Sequence, residues 1–320
     1  MPRQQEVRRG CLIVNLGSPE ELSEASIRSF LRRFLSDRRV VDLPRVLWQP
    51  ILRSFVLRKR PGRILEQYER VWTPEGSPLM AYTVAQRDQL AEQLDQVEVR
   101  YAMTYTSPSI VESLRDWLVD EVTVLPLFPQ YAPSTVAPVI DQVAAFERAH
   151  PDGPVITTVR DWATQPEYVA WYAEQLGKAF ADEPADKVVF SYHSVPERKR
   201  HGPAEYAVRG RATTETIIAH PDCPDSEWEI TYQSTFGPGR WLGPATLDRA
   251  QALPGEGVRS VLVCSPGFVA DCIETSYELR VLMAGAFTEC GGERFRVLTP
   301  LNSDVRAGEI LAAVYRRFTR

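Results

Sequence analysis

An imidazole and carboxylates gathered at one cleft can take protons from a ligand or hold a cation against it, so these residues are placed first. His193 closes the apolar run Val188-Val189-Phe190-Ser191-Tyr192, which puts an imidazole at the mouth of a strand. Imidazole titrates near neutrality and serves as base or metal ligand, although a satisfied structural histidine at a strand end has the same pattern. His150 precedes Pro151, His201 follows a basic loop and His220 stands before Pro221; all three read as solvated surface. Asp271, Glu274 and Glu278 recur at i, i+3 and i+7, one face of a helix. A helix cap is a sufficient account of Asp271. Glu278 lies past the strongest reach of the helix dipole, and a carboxylate row running inward from a histidine suits a conduit for a divalent cation or for protons.

A third feature is the stretch 44–63, PRVLWQPILRSFVLRKRPGR, which holds Arg45, Arg53, Arg58, Lys59, Arg60 and Arg63 and no acid. Leu47/Trp48, Ile51/Leu52 and Phe55/Val56 repeat at helical spacing and give an apolar stripe beside a basic face. Three readings fit: a core-facing helix with a solvated basic side, a membrane-surface lip, or a site for a flat anionic hydrophobic ligand.

Such residues need strands to position them. Short β-branched runs recur with helix-like segments between them, as crossover units of a parallel sheet require. Strands are predicted over Cys11–Gly17, Val97–Tyr105, Val122–Pro129 and Pro154–Arg160, then Lys187–His193, Glu229–Ser234, Ser260–Cys264 and Phe295–Leu298. Helices are expected over Glu21–Leu35, Thr83–Leu94, Ile110–Asp120, Pro166–Ala181, Tyr206–Ala219, Cys272–Ala286 and Val305–Phe318. Runs such as Leu12-Ile13-Val14 are apolar throughout, so both sheet faces should be covered. The fold class is α/β, two similar doubly wound domains, each a four-stranded parallel sheet flanked by helices. The expected division is 1–150, including the 44–63 segment; 151–300, carrying His193 and Glu274; and 301–320, a C-terminal helix packing back on the body. Ligands of open parallel sheets bind outside the carboxyl ends of the strands. Those ends carry segments such as Asn15-Leu16-Gly17-Ser18-Pro19, Gln233-Ser234-Thr235-Phe236-Gly237 and Ser265-Pro266-Gly267-Phe268. No Walker A pattern is present and no GxGxxG follows the first strand, so nucleotide binding has no support.

Composition narrows the classes further. At 320 residues, 25% charged and 44% hydrophobic, the chain is neither disordered nor fibrous, and its length suits about two domains. The net charge of −5 argues against a general nucleic-acid binder. Lys59, Lys178, Lys187 and Lys199 are its lysines, so arginine supplies most of the positive charge. Cysteines at 11, 223, 264, 272 and 290 form no CxxC pair, which fits a reducing compartment. Val261–Ala270, the longest nearly apolar stretch, falls short of the ~20 residues of a spanning helix. A cytoplasmic location with at most peripheral membrane contact is expected.

Several of these segments together resemble the ferrochelatases, the enzymes that insert ferrous iron into a porphyrin at the end of haem synthesis. The likeness runs from about residue 9 to residue 302. It rests on Val14-Asn15-Leu16-Gly17-Ser18-Pro19, Phe34-Leu35-Ser36-Asp37-Arg38, Gly76-Ser77-Pro78-Leu79, Leu125-Pro126-Leu127-Phe128-Pro129-Gln130-Tyr131, Ser191-Tyr192-His193-Ser194-Val195-Pro196, Tyr232-Gln233-Ser234, Trp241-Leu242-Gly243-Pro244 and Pro266-Gly267-Phe268 followed by Asp271-Cys272-Ile273-Glu274-Thr275. The resemblance implies a class II chelatase-like fold, with His193 as the active-site histidine and Glu274 the acid facing it, both as iron ligands or proton acceptors. It implies Asp271 and Glu278 in iron delivery or proton exit. Leu16, Tyr105, Trp241 and Phe268 would form the ring-gripping walls, and Lys59, Arg60, Tyr68 and Ser77 would anchor the propionates. The substrates implied are protoporphyrin IX and Fe²⁺, with no permanently bound cofactor.

Departures from the family pattern refine the expectation. Leu16 stands where coproporphyrin-using Gram-positive members tend to carry Tyr, which favours protoporphyrin IX. Ser194 replaces a Gly common in bacterial members, Thr104 an Arg of animal ones, and Leu282 interrupts the acidic row. The sequence lacks a Cys-bearing tail, and its cysteines are not spaced for a cluster, so no [2Fe–2S] centre is expected. A non-catalytic porphyrin or haem carrier, or a chelatase for another tetrapyrrole or metal, is the alternative; retention of both His193 and Glu274 argues against the carrier.

Overall fold

The structure, a computed structural model, describes residues 7–198, 202–235 and 239–319. Lys199, His201, Phe236 and Gly237 lie outside the described residues. Among the described residues eight strands occur: β1 (Arg9–Asn15), β2 (Val97–Met103), β3 (Glu121–Pro126), β4 (Val155–Thr158), β5 (Lys187–His193), β6 (Glu227–Gln233), β7 (Ser260–Cys264) and β8 (Arg294–Val297). They form two all-parallel sheets of the same order, β2-β1-β3-β4 and β6-β5-β7-β8. The central strands are buried almost from end to end, as expected of runs with helices on both faces.

Eleven α-helices are described: α1 (Glu24–Ser36), α2 (Arg45–Ile51), α3 (Leu57–Glu69), α4 (Pro78–Gln93), α5 (Ile110–Leu114), α6 (Val136–Ala149), α7 (Pro166–Asp182), α8 (Pro203–Ile218), α9 (Thr246–Ala252), α10 (Ala284–Glu289) and α11 (Ala307–Phe318). Two π-helical segments join them, Leu52–Val56 between α2 and α3 and Glu274–Met283 ahead of α10. Pro50 stands just before the first; without an N–H and with its ring against the preceding turn, it disturbs the regular ladder there.

The first sheet runs past residue 150. Glu121–Val124 of β3 pairs in parallel with β4, so the first sheet closes only at Thr158. One apolar core joins the halves, taking Ile13 and Leu125 from the first sheet, Phe190 and Leu262 from the second, and Tyr168, Tyr172 and Leu311 from the helices between and after them. α11 returns to the first half. A Cβ on Gly308 would stand 2.4 Å from the Gln89 carbonyl oxygen, so only glycine allows this approach to α4.

The halves differ in their first crossover. Among the described residues of 194–226, α8 is the one helix between β5 and β6, whereas residues 16–96 carry α1 to α4 between β1 and β2. This insertion is a satellite fold with its own core of Ile27, Phe30, Leu31, Trp48, Leu52, Leu57, Tyr68 and Tyr105. The Trp48 indole N–H donates to the Leu35 carbonyl at 2.6 Å, and Arg28 Nε donates to the Leu57 carbonyl at 2.9 Å, fastening α2 and α3 to α1.

Candidate active site

His193 ends β5 and is half-buried. Its Nδ1 lies 2.6 Å from the Ser194 carbonyl oxygen. A carbonyl can only accept, so Nδ1 carries a proton, and in the neutral ring Nε2 is the nitrogen with a lone pair for a proton or a metal. The hydroxyl of Ser194 donates to the Leu242 carbonyl at 2.9 Å, and Leu242 N–H donates to the Val195 carbonyl. The loop bearing Trp241 is thereby pinned to the segment that follows the histidine.

Gln233 ends the neighbouring strand β6, in register with His193. Its Oε1 accepts from the Ser191 hydroxyl at 2.8 Å, and its Nε2 donates to the Glu274 carbonyl at 2.9 Å. A buried amide thus links the histidine strand to the carboxylate helix. Sequence reasoning assigned Gln233 no role, although its place at a strand mouth was visible.

Within Glu274–Met283 the backbone bonds i to i+5, winding more loosely than 3.6 residues per turn. Asp271, Glu274 and Glu278 would share one face only on a continuous α-helix, and Asp271 lies ahead of the helical turns. Asp271 is buried and spent elsewhere: one carboxylate oxygen accepts from Thr275 Oγ1 at 2.6 Å, the other from Asn302 Nδ2 at 2.7 Å. Glu278 is half-buried and accepts from the Ser234 hydroxyl at 2.5 Å. Burial first, then the charge of Glu274, push its carboxyl up to about 7, against the pull of Ser234, Gln233 and Arg60.

α3 closes the opposite side. Arg60 is half-buried and lies within electrostatic reach of Glu278; burial first, then the Arg63 charge, draw its guanidinium below the usual arginine value. Arg63, three residues along the helix, is the cation Arg60 feels, while Lys59 is exposed. Arg63, like Lys59, is exposed, and it stands at i, i+3 from Arg60 on the same helix. Tyr68 is buried, and its hydroxyl is pushed well above the usual range by burial, then by Glu274 and Cys272. Arg70 lies over the Tyr277 ring at 5.8 Å, a further contact between α3 and the carboxylate helix. Ser77 occupies the N-cap position of α4, buried, with no side-chain capping bond.

The remaining wall candidates divide between two places. Leu16 and Tyr105 belong to the satellite core with Phe34 and Ile273, joined by a bond from Tyr105 N–H to the Leu16 carbonyl. The Tyr105 hydroxyl donates to Asp37 at 2.9 Å, and burial ahead of Asp37 holds that hydroxyl protonated. Trp241 pairs by its backbone with Pro196 beyond the histidine, and Phe268 sits half-buried in the loop after β7. Among the described residues, no group of three or more His, Cys, Asp or Glu side chains is assembled that could hold a metal ion.

Comparison with known proteins identifies the architecture. The ferrochelatase family model matches residues 8–318. The chain is 40% identical to the coproporphyrin III ferrochelatase of Lactococcus lactis subsp. lactis (strain IL1403) over 314 residues, 96% of this chain and 97% of that protein. It is also 40% identical to the ferrochelatase of Pectobacterium atrosepticum over 305 residues, 94% of this chain and 95% of that one. Among solved structures, SirB from Bacillus subtilis with Fe³⁺ superposes with a TM-score of 0.55 at 9% identity, over 98% of this chain and 96% of that one. The sirohydrochlorin chelatase SirB of B. subtilis subspecies spizizenii, in complex with cobalt, gives 0.56 at 9% identity, over 97% and 95%. That likeness is one of fold, and it identifies the paired four-stranded sheets as a two-domain chelatase architecture. With a family match over nearly its whole length and relatives 40% identical across almost their entire chains, this chain belongs to the ferrochelatase family, whose chemistry is the insertion of iron into a porphyrin.

Proposed function

We propose that this chain inserts Fe²⁺ into protoporphyrin IX, forming protohaem and releasing two protons. The observation that carries the reading is His193, whose Nδ1 is committed to the Ser194 carbonyl so that Nε2 is the atom left to act. Nε2 takes a proton from a pyrrole N–H as the nitrogen lone pairs turn to the metal. Glu274, held through Gln233, brings up the iron, and Glu278, with a carboxyl near neutrality, relays protons out. Asp271 is assigned to holding this helix rather than to the relay. Arg60 and Arg63, with Lys59, Tyr68 and Ser77, hold the propionates by charge-assisted hydrogen bonds. Leu16, Tyr105, Trp241 and Phe268 grip and bend the macrocycle. No resident cluster takes part in this reading: the cysteines at 11, 223, 264, 272 and 290 form no CxxC pair.

Protoporphyrin IX, rather than coproporphyrin III, is favoured by Leu16. Coproporphyrin carries four carboxylates where protoporphyrin carries two and two vinyl groups. Leu16 packs with apolar side chains and offers no hydrogen bond, so a carboxylate set against it would be desolvated without a partner. The experiment mixes purified protein and Zn²⁺ or Fe²⁺ with each porphyrin and follows the visible spectrum. Higher kcat/KM with protoporphyrin IX is the expected result. Preference for coproporphyrin III overturns the substrate, and binding without metallation above the uncatalysed rate overturns the enzyme in favour of a carrier.

The lip contacts a membrane surface in this reading, and the protein is cytoplasmic. Among the described residues, no helix is long and apolar enough to cross a membrane. The paired apolar residues of 44–63 point two ways: Trp48 and Leu52 go into the satellite core, while Val46, Leu47, Ile51 and Phe55 are 81%, 62%, 45% and 62% exposed beside exposed Arg45, Arg53 and Arg58. Each apolar side chain is worth up to about 1.5–3 kcal/mol on burial, and each base about 1 kcal/mol near an anionic surface.

A further inference from the structure

We propose that Asn302 is a positioning residue for the carboxylate helix, and that Asp271 serves this clamp rather than carrying iron or protons. Asn302 uses all four of its polar groups. Its Nδ2 donates to Asp271 Oδ2 at 2.7 Å, and its Oδ1 accepts from Asp271 N–H at 2.7 Å. Its backbone N–H donates to the Val269 carbonyl at 2.9 Å, and its own carbonyl accepts from Gln86 Nε2 at 2.7 Å. The same Gln86 Nε2 also donates to the Val269 carbonyl at 2.8 Å. The loop entering the carboxylate helix, the segment after β8 and α4 of the first half therefore meet at one asparagine.

Two details mark this as a specified arrangement. Asn302 has φ +46°, a left-handed conformation that asparagine tolerates better than most residues. The Asp271 carboxylate it orients accepts from Thr275 Oγ1, and that same oxygen accepts from Cys272 N–H at 3.0 Å. The clamp thus fixes the backbone on both sides of Glu274. Both partners are buried, so a lost bond leaves an unpaired polar group that the loop must move to satisfy. Displacements of about 1 Å at reacting groups cost up to 10²-fold in rate.

The proposal rests on Glu274 acting at the metal, and the test exploits a symmetry of the hydrogen bonds. Asn302→Asp sets two carboxylates against each other. The exchange Asp271→Asn with Asn302→Asp restores every bond. The amide placed at position 271 donates to the carboxylate placed at 302, and its oxygen still accepts from Thr275; the 302 carboxylate still accepts from the backbone N–H of position 271. Turnover with Zn²⁺ and protoporphyrin IX is measured beside porphyrin affinity by fluorescence. Asn302→Asp and Asn302→Gly, the latter keeping the backbone conformation, are expected to lose about tenfold or more in kcat with porphyrin Kd within about twofold. The exchanged pair is expected to recover to within about threefold of the native kcat. An exchanged pair that binds porphyrin yet stays as slow as Asn302→Asp makes the Asp271 charge itself chemical and overturns the proposal; so does native turnover in both single variants. Glu274→Gln in the same assay separates the two claims. If it retains turnover the role of Glu274 fails, whereas if it is inactive while the Asn302 variants are native only the clamp fails.

Discussion

The two halves use one plan and put different chemistry on it. Each centres a seven-residue strand, β1 or β5, between partners in the same order. Each turns after its second strand through a cis X–Pro bond, Ser107-Pro108 or Gly243-Pro244, whose proline carbonyl accepts from Met103 N–H at 2.7 Å or Tyr232 N–H at 2.9 Å. The last residue of the central strand is Asn15 in one half and His193 in the other. Asn15 is buried and consumed: its Nδ2 donates to Thr83 Oγ1 at 2.9 Å and its Oδ1 accepts from Leu16 N–H at 2.8 Å. His193 commits one nitrogen and, among the described residues, makes no bond with the other. The fold supplies a strand mouth twice, and what decides function is whether the group there has an atom left over.

Variants can exchange or blur that contrast. The largest separation is expected between the two strand ends. His193→Ala should lower kcat by about 10²–10⁴-fold with little change in melting temperature. Asn15→Ala should do the reverse, costing about 1–3 kcal/mol of stability, seen in denaturant unfolding, while each folded molecule turns over normally. Equal loss of turnover in both would erase the distinction. Next in size is a pH effect confined to the second half. The carboxyl of Glu278 lies at about 7 when folded against an ordinary 4.5, so between those values the folded chain holds a proton the unfolded chain has shed. Its contribution to stability is complete below about 4.5 and is lost as pH rises through 7. Melting curves from pH 5 to 8 should therefore fall less steeply for Glu278→Gln than for the native protein. The smallest effect on chemistry belongs to the lip. Reversing Arg53 and Arg58 to Glu should weaken binding to phosphatidylglycerol vesicles about tenfold or more and leave turnover of a water-soluble porphyrin within about twofold. Unchanged vesicle binding would leave the lip as a cleft wall only.

Much of this was legible in the residues. The central strands β1, β3, β5 and β7 are nearly continuous apolar runs and stand out in the sequence, and His193 is conspicuous because it ends one of them, while the edge strands are more mixed. α6 was missed: it opens behind Ser134-Thr135 with Pro138 in its first turn, so its start reads as loop. The lip's apolar pairs were read as one stripe, yet Trp48 and Leu52 turn inward while Leu47 and Ile51 turn outward, a split only α1 decides. Asp271 was grouped with Glu274 and Glu278 on the premise of an α-helical turn. Asp271 instead precedes the helical turns, and Asn302, which claims it, lies 31 residues away. Likewise, that Gln233 joins β6 to Glu274 depends on contacts between elements distant in sequence.

The central claim is a division of labour, in which α3 of the first half holds the propionates and the strand ends and carboxylate helix of the second half perform the exchange of protons for metal. It is tested most directly by measuring protoporphyrin IX Kd and single-turnover metallation rate in Arg60→Ala and Glu274→Gln side by side. Arg60→Ala is expected to raise Kd about tenfold or more while the rate from bound porphyrin stays within about threefold, since a charge-assisted hydrogen bond is worth about 1.5–3 kcal/mol. Glu274→Gln is expected to leave Kd within about twofold and slow metallation about 10²-fold or more. If both variants move the same constant, binding and chemistry are not divided between the halves and the account is contradicted.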